Sequence, residues 1–479
     1  MTTREIIKNS DYRYGKFLAL LYLTCALRLV NINCSDTNAT QGWDELPRII
    51  ETIKTPVFED NDFIITKFGA VGDGKTNCTE ALKAAIDACH QGGGGRVVVP
   101  KGVYLTGAIH LRTNINLYIS KNATLLFSSD FEAYLPVVYT RFEGVECMNY
   151  SPLIYAYNEE NIAITGSGIL DGQAGITNWW EWKGRPEYGW EEGEPNGDID
   201  NVKLLNMAED GIVVEDRVFG EGHYLRTNFI QPYKCKNVLI DSVTILRSPM
   251  WTIHPVLCEN VTVQNVTVNS HGPNNDGCNP ESSKDVLIKN CYFDTGDDCI
   301  AIKSGRNTDG RRVNISSENI IVQNCTMRDG HGGVVIGSEM SGNVHNVFVE
   351  DCIMDSPNLE RALRIKTNSQ RGGIVENIYM RNCIIGEVSD AVIRINFHYG
   401  EGDTGNYVPI ARNIFLSNLK STRSRYAIYL EGYKRSPISN LKIEDCDFRG
   451  VLEPNKISYC SNLVLRNVYI NGKNFSYPN

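Results

Sequence analysis

A nine-residue unit recurs through the second half of the chain and restricts its fold more than any other feature. Asn237-Val-Leu-Ile-Asp-Ser-Val-Thr-Ile returns as Asn260-Val-Thr-Val-Gln-Asn-Val-Thr-Val, then as Asp285-Val-Leu-Ile-Lys-Asn-Cys-Tyr-Phe and Asn319-Ile-Ile-Val-Gln-Asn-Cys-Thr-Met. Further copies start at Asn346, Asn377, Asn413, Asn440 and Asn462, and a weaker one at Asn161. The starts from Asn237 onward lie 22 to 36 residues apart. Within a copy apolar and polar residues alternate, so one face is buried. A repeat of this length without a helical period specifies a β-solenoid, in which stacked copies bury what one copy leaves exposed. Leucine-rich repeats have a similar period, but the Leu-x-x-Leu-x-Leu signature is missing.

The sixth position of a copy is usually Asn or Asp, and the seventh is often Cys (Cys291, Cys325, Cys352, Cys383, Cys446). Asn side chains stacked at a sharp bend hydrogen-bond from coil to coil. The many Asn-x-Ser/Thr matches therefore read as ladder residues and not as glycan sites. Fifteen cysteines, an odd number, form no small-domain disulfide framework. Most are expected to be buried thiols acting as small apolar residues.

Between copies lies a second strand, at 250–254, 275–278, 298–303, 333–337, 362–366, 391–396 and 427–430. Coils stacked in register place these strands about 4.8 Å apart. Asp276, Asp297, Asp298, His331, Arg364 and Lys366 then share one face, in a patch about 15 Å high by the same spacing. Carboxylates brought together repel, which raises the pKa of at least one. A protonated and an ionised carboxyl side by side is what glycoside hydrolysis requires. Arg364 and Lys366 alternate with Leu363 and Ile365, so both project from the same side, and an arginine fork suits a carboxylate.

Four short motifs in this region resemble family 28 of the glycoside hydrolases, the polygalacturonases. They are Asn274-Asn275-Asp276, Gly296-Asp297-Asp298, Gly330-His331-Gly332 and Arg364-Ile365-Lys366, in the family's order, and the likeness runs from about Phe63 to the C-terminus. With the repeat, the resemblance implies an all-β fold, a right-handed parallel β-helix with a short N-terminal helical cap. It implies an inverting hydrolase of α-1,4-linked galacturonic acid, exo-acting like the family's bacterial branch. In that reading Asp297 donates the proton, Asp276 and Asp298 hold and activate the water, and His331 tunes the acid. Arg364 and Lys366 meet the substrate carboxylate, with Lys303, Arg306 and Tyr399 as further contacts. Thr295-Gly296 is expected to supply the bend that lets both Asp297 and Asp298 reach the cleft. No metal and no cofactor is implied, and His331 has no second ligand at metal spacing on its strand. Alternatives on the same coil are a rhamnogalacturonan or xylogalacturonan hydrolase, a non-catalytic glycan-binding solenoid, and a pectate lyase using Ca2+ with an arginine base.

The remaining chain fits this frame. Residues 1–34 read as a signal peptide or lipoprotein signal: a net basic start, an apolar run at 17–27 too short to span a membrane, and Cys34 before a polar spacer. The expected location is the periplasm or cell surface, with a possible lipid tether at Cys34. Residues 35–62 read as a linker with a short helix at 43–53, and 63–479 as a single catalytic domain. A strand is predicted at 63–68 and a helix at 79–89. Gly69–Thr76 matches the phosphate-loop pattern GxxxxGK[ST], yet no alternating strand–helix units follow, so no nucleotide is expected. The segment 171–226 interrupts the rhythm with Trp179, Trp180, Trp182 and Trp190 and reads as an insertion walling one end of the cleft. Net charge is −10 and no basic block is present, which argues against nucleic acid. An acidic protein that binds a polyanion must gather cations at the site.

Overall fold

The computed structural model describes residues 42–477. The export signal and Cys34 lie outside the described residues. Two compact units are present, Met1–Glu45 and Leu46–Asn479. Of the first, the short 3-10 turn Trp43–Glu45 is described; everything below concerns the second.

The repeat winds into a right-handed parallel β-helix. Most copies make two strands: the one from Asn260 gives Glu259–Gln264 and Thr267–Ser270, while the copies from Asn440 and Asn462 each run as one long strand. The chain bends between them because the sixth residue is left-handed, with φ 56° at Asn265, 54° at Asn290 and 53° at Asn324. Asn and Asp enter that region at low cost because their short polar side chains bond locally. A third strand or a single bridge closes each coil, so three sheets run along the molecule where the sequence indicated two strands per coil. Register is strict in the first sheet. Val261, Val286, Ile320, Val347, Ile378, Ile414 and Leu441 are successive partners, and each is fully buried. A slip of one residue would turn this column toward solvent.

The continuous asparagine ladder runs along the first repeat position and not the sixth. Asn346 Nδ2 donates to Asn319 Oδ1 (3.2 Å), Asn377 to Asn346 (3.0 Å), Asn413 to Asn377 (3.0 Å) and Asn440 to Asn413 (2.8 Å). At the sixth position the links are separate, as in Asn290 to Asn265 (3.2 Å) and Asn418 to Asn382 (2.8 Å). The cysteines at the seventh position are buried. Their thiols donate to the carbonyl two residues back, as Cys352 does to Glu350 (3.3 Å).

At the N-terminal end the helix Thr79–Gln91 turns Leu82, Ala85, Ile86 and Cys89 inward. It packs on the strands Asp62–Ile64 and Gly95–Val99. The strand predicted at 63–68 breaks after Ile64 into the 3-10 turn Ile65–Phe68, which Gly69 ends at φ 98°. The phosphate-loop look-alike forms a strand, Asp73–Asn77, paired with Gly102–Thr106. Asp73 accepts the N–H groups of Lys75 (2.9 Å) and Thr76 (2.8 Å), so the segment turns those donors on its own carboxylate.

Candidate active site

Four consecutive coils build the site. Asp276 lies where the coil narrows to the single bridge at Cys278, which pairs with Ile253 before it and Ile300 after it. Asp297 and Asp298 sit in the bend between the strands Tyr292–Thr295 and Ile300–Ile302, as expected, and both line one cleft with Asp276. In the third sheet Ala301, Val335 and Arg364 are in register, and Gly337 pairs with Lys366. Coil stacking thus joins acids and cations about 90 residues apart in sequence, one strand spacing per coil.

Side-chain bonds lock the group. His331 Nδ1 lies 2.9 Å from Asp297 Oδ1. Gly330, at φ 136°, makes that approach possible: a Cβ there would lie 2.2 Å from the Asp297 carbonyl oxygen. Lys366 Nζ donates to Asp298 Oδ2 (2.7 Å), and Arg364 reaches Asp298 Oδ1 at 3.6 Å. Asp276 Oδ2 accepts from Asn279 (2.6 Å) and lies 3.7 Å from Lys303 Nζ.

Charge is distributed unevenly among the three acids. Burial, reinforced by the charge of Asp297, lifts Asp276 well above the carboxylate range. Burial also pushes Asp297 upward, but the hydrogen bond and charge of His331 outweigh it and hold Asp297 below the usual range. The same hydrogen bond raises His331 to about 9. At neutral pH His331 therefore carries its proton beside Asp297. Asp297, the expected proton donor, thus has a protonated imidazole in direct contact, a contact that the sequence does not place in distance.

The cleft has two confluent halves. The deeper one, about 630 Å3, holds Asp276, Asp297, Asp298, Lys303, Lys366, Trp251 and Tyr399. Arg306 ties its wall together, pairing Glu143 (2.9 Å) from one hairpin with Glu401 (3.7 Å) from the loop after the strand Ala391–Asn396. The second half, about 450 Å3, holds His331, Arg361, Arg364 and Tyr399, with Lys183, Arg185 and Tyr188 from the insertion. All nine residues expected at the site line the cleft. Lys366 and Lys303, however, are buried and committed to protein carboxylates, Lys303 to Glu339 at 2.8 Å. They hold the acids in place and offer a ligand less than the sequence implied. Tyr399 lies under both cations of the Arg-Ile-Lys strand, 5.4 Å from Arg364 and 5.2 Å from Lys366.

The insertion does wall the cleft, but through Lys183, Arg185 and Tyr188 and not through its tryptophans. Trp179 and Trp182 are buried against Phe131, with ring centroids 4.7 and 4.2 Å away. Trp180 donates its indole N–H to the Ser248 carbonyl (2.9 Å). Sequence reasoning missed Trp251, whose ring lies 4.4 Å from Lys303 Nζ. It also missed Glu339, Arg371 and Glu401, which carry no motif and reach the site through coil geometry alone. Trp251 had a readable signal, a large aromatic on a strand one coil ahead of Asp276.

Known proteins share this architecture and sequence. The family described as Glycosyl hydrolases family 28 matches residues 221–469, and one described as Rhamnogalacturonase A/epimerase, pectate lyase-like matches residues 63–132. The crystal structure of a hyperthermoactive exopolygalacturonase from Thermotoga maritima is 48% identical, with a TM-score of 0.87 over 90% of this chain and 97% of that one. A probable polygalacturonase of Vitis vinifera is 28% identical over 82% of this chain and 76% of its own length. An exo-poly-alpha-D-galacturonosidase of Dickeya chrysanthemi is 29% identical over 72% of this chain and 58% of its own.

Proposed function

The chain belongs to family 28 of the glycosyl hydrolases, and from that premise we propose that it hydrolyses the α-1,4 bonds of galacturonan from the chain end, with inversion. The observation that carries this reading is the cluster of Asp276, Asp297 and Asp298 tied to His331, Lys366 and Arg364 in one cleft. Inversion needs an acid on the glycosidic oxygen and a base on a water at the opposite face of the sugar. Asp297 is the acid. Its proton comes from the 2.9 Å contact with His331, since a substrate carboxylate beside Asp297 adds negative charge and favours its neutral form. The leaving oxygen takes the proton of Asp297, and the water held by Asp276 and Asp298 gives its own proton to that carboxyl pair as its oxygen bonds the anomeric carbon.

The deep half of the cleft, with Trp251 and the wall made by Glu143, Arg306 and Glu401, receives the sugar whose anomeric carbon is attacked. The half containing Arg364 receives the leaving chain. A wall beyond the attacked sugar makes that sugar the non-reducing end, which supports exo action. The similarity to exo-acting relatives supports the same choice. Incubation with polygalacturonate tests the reading: galacturonate, or a dimer, is the first product, whereas an early ladder of oligomers contradicts exo action. The basic start and apolar run of residues 1–34 support export, and Cys34 before its polar spacer supports a lipid tether. A Cys34→Ala protein found in the same cell fraction as the wild type removes the tether.

A further inference from the structure

We propose that Lys183, carried by the insertion, binds a substrate carboxylate next to the bond that is cut, and so selects a uronic sugar there. This rests on the galacturonan reading above and adds a residue that none of the four motifs contains. Lys183 lines both halves of the cleft, as do Asp297, Asn274 and Tyr399. Its position is therefore at the junction where the scissile bond must lie if Asp297 is the acid.

Charge pairing singles it out. Apart from Arg364, every other lysine or arginine lining the cleft has a protein carboxylate within 3.3 Å: Lys366, Lys303, Arg306, Arg361, Arg371 and Arg185. Arg364 has its carboxylate at 3.6 Å. Lys183 has no carboxylate partner and no side-chain hydrogen bond among the described residues. An acidic protein that takes a polyanion needs cations not already neutralised by its own acids. Lys183 and Arg364 meet that need from different elements, the insertion and the third sheet.

The backbone presents this lysine firmly. It ends the 3-10 turn Glu181–Lys183, and its N–H bonds to the Trp180 carbonyl (3.0 Å). Trp182 beside it is buried against Phe131, and Trp180 is tied to Ser248. Gly184 follows at φ 70°, packed against Asn196. The tryptophans of the insertion thus act indirectly, by fixing where Lys183 stands.

The test compares Lys183→Met, Lys183→Arg and the wild type on digalacturonate and trigalacturonate at several salt concentrations. A charge-assisted contact of ordinary strength predicts a rise in KM of about 10- to 100-fold for Lys183→Met, a smaller fall in kcat, and a flatter dependence of KM on salt. Melting temperature should stay near the wild-type value, because the side chain makes no bond within the protein. Lys183→Arg should recover most of the KM and the salt slope. Wild-type KM and salt slope in Lys183→Met overturn the assignment, and so does an arginine variant no better than the methionine one. A wild-type protein that releases no galacturonate removes the underlying reading, and this assignment with it. An active wild type beside an indifferent Lys183→Met removes this assignment alone.

Discussion

Asp297 and His331 form the most informative pair in the molecule. The hydrogen bond keeps the carboxyl low and the imidazole high, so the proton needed for leaving-group departure is stored on a neighbour. Asp297→Asn removes the carboxyl that passes it on. It should lower kcat by about 10²- to 10⁴-fold with little change in KM, measured as galacturonate released from a defined oligomer. His331 also links stability to pH. Its folded pKa of about 9 exceeds the ordinary 6.5, so its contribution is complete below pH 6.5 and is lost as pH rises through about 9. His331→Gln should flatten the decline of Tm across that window; an unchanged decline would place its cause elsewhere. Asp276 has the opposite sign. A carboxyl whose folded pKa is raised costs stability once pH passes its ordinary value of 3.8. Asp276→Asn should therefore abolish turnover and raise Tm at neutral pH, an exchange of activity for stability. A lower Tm would show that its contacts with Asn279 and Lys303 outweigh the buried charge.

The coil is the element that makes distant residues neighbours, and its punctuation is asparagine. Asn346 accepts from Asn377 (3.0 Å), donates to Asn319 (3.2 Å) and holds φ at 56°. Asn346→Ala loses both bonds and forces a Cβ-bearing residue into the left-handed region, at a combined cost of about 2–3 kcal/mol. Asn346→Gly loses the bonds but keeps the backbone at ease, so it should cost about 1 kcal/mol less. Denaturant unfolding orders the two variants, and a glycine variant less stable than the alanine one would refute this account of the ladder. Much of this was legible in the sequence. The period gave the solenoid, and the motif order gave the face that carries Asp276, Asp297, His331 and Arg364. The sixth-position asparagines marked the bend correctly, but the continuous ladder belongs to the first position. Both positions are rich in asparagine for the same backbone reason, and only register distinguishes them. Glu143, Glu339, Arg371 and Glu401 were not legible. They come from segments outside the repeat, and nothing local marks a residue that a neighbouring coil brings into a cleft.

On the scale of the whole molecule, an acidic β-helix takes an acidic polymer by gathering eight lysines and arginines along one cleft. Most of those cations are spent on the protein's own acids, and Lys183 and Arg364 are the least committed. The insertion is pinned by buried tryptophans, and the wall is built from Glu143, Arg306 and Glu401. Together they make a channel into a site with an end. Stacked coils supply the chemistry, and the segments outside the repeat supply the end. The most direct test is the anomeric form of the first product, followed by NMR as a galacturonate oligomer is cut. The account predicts a β-configured product appearing first, galacturonate or its dimer, released from the non-reducing end and mutarotating later. An α-product, an unsaturated sugar or an initial spread of oligomers would contradict it.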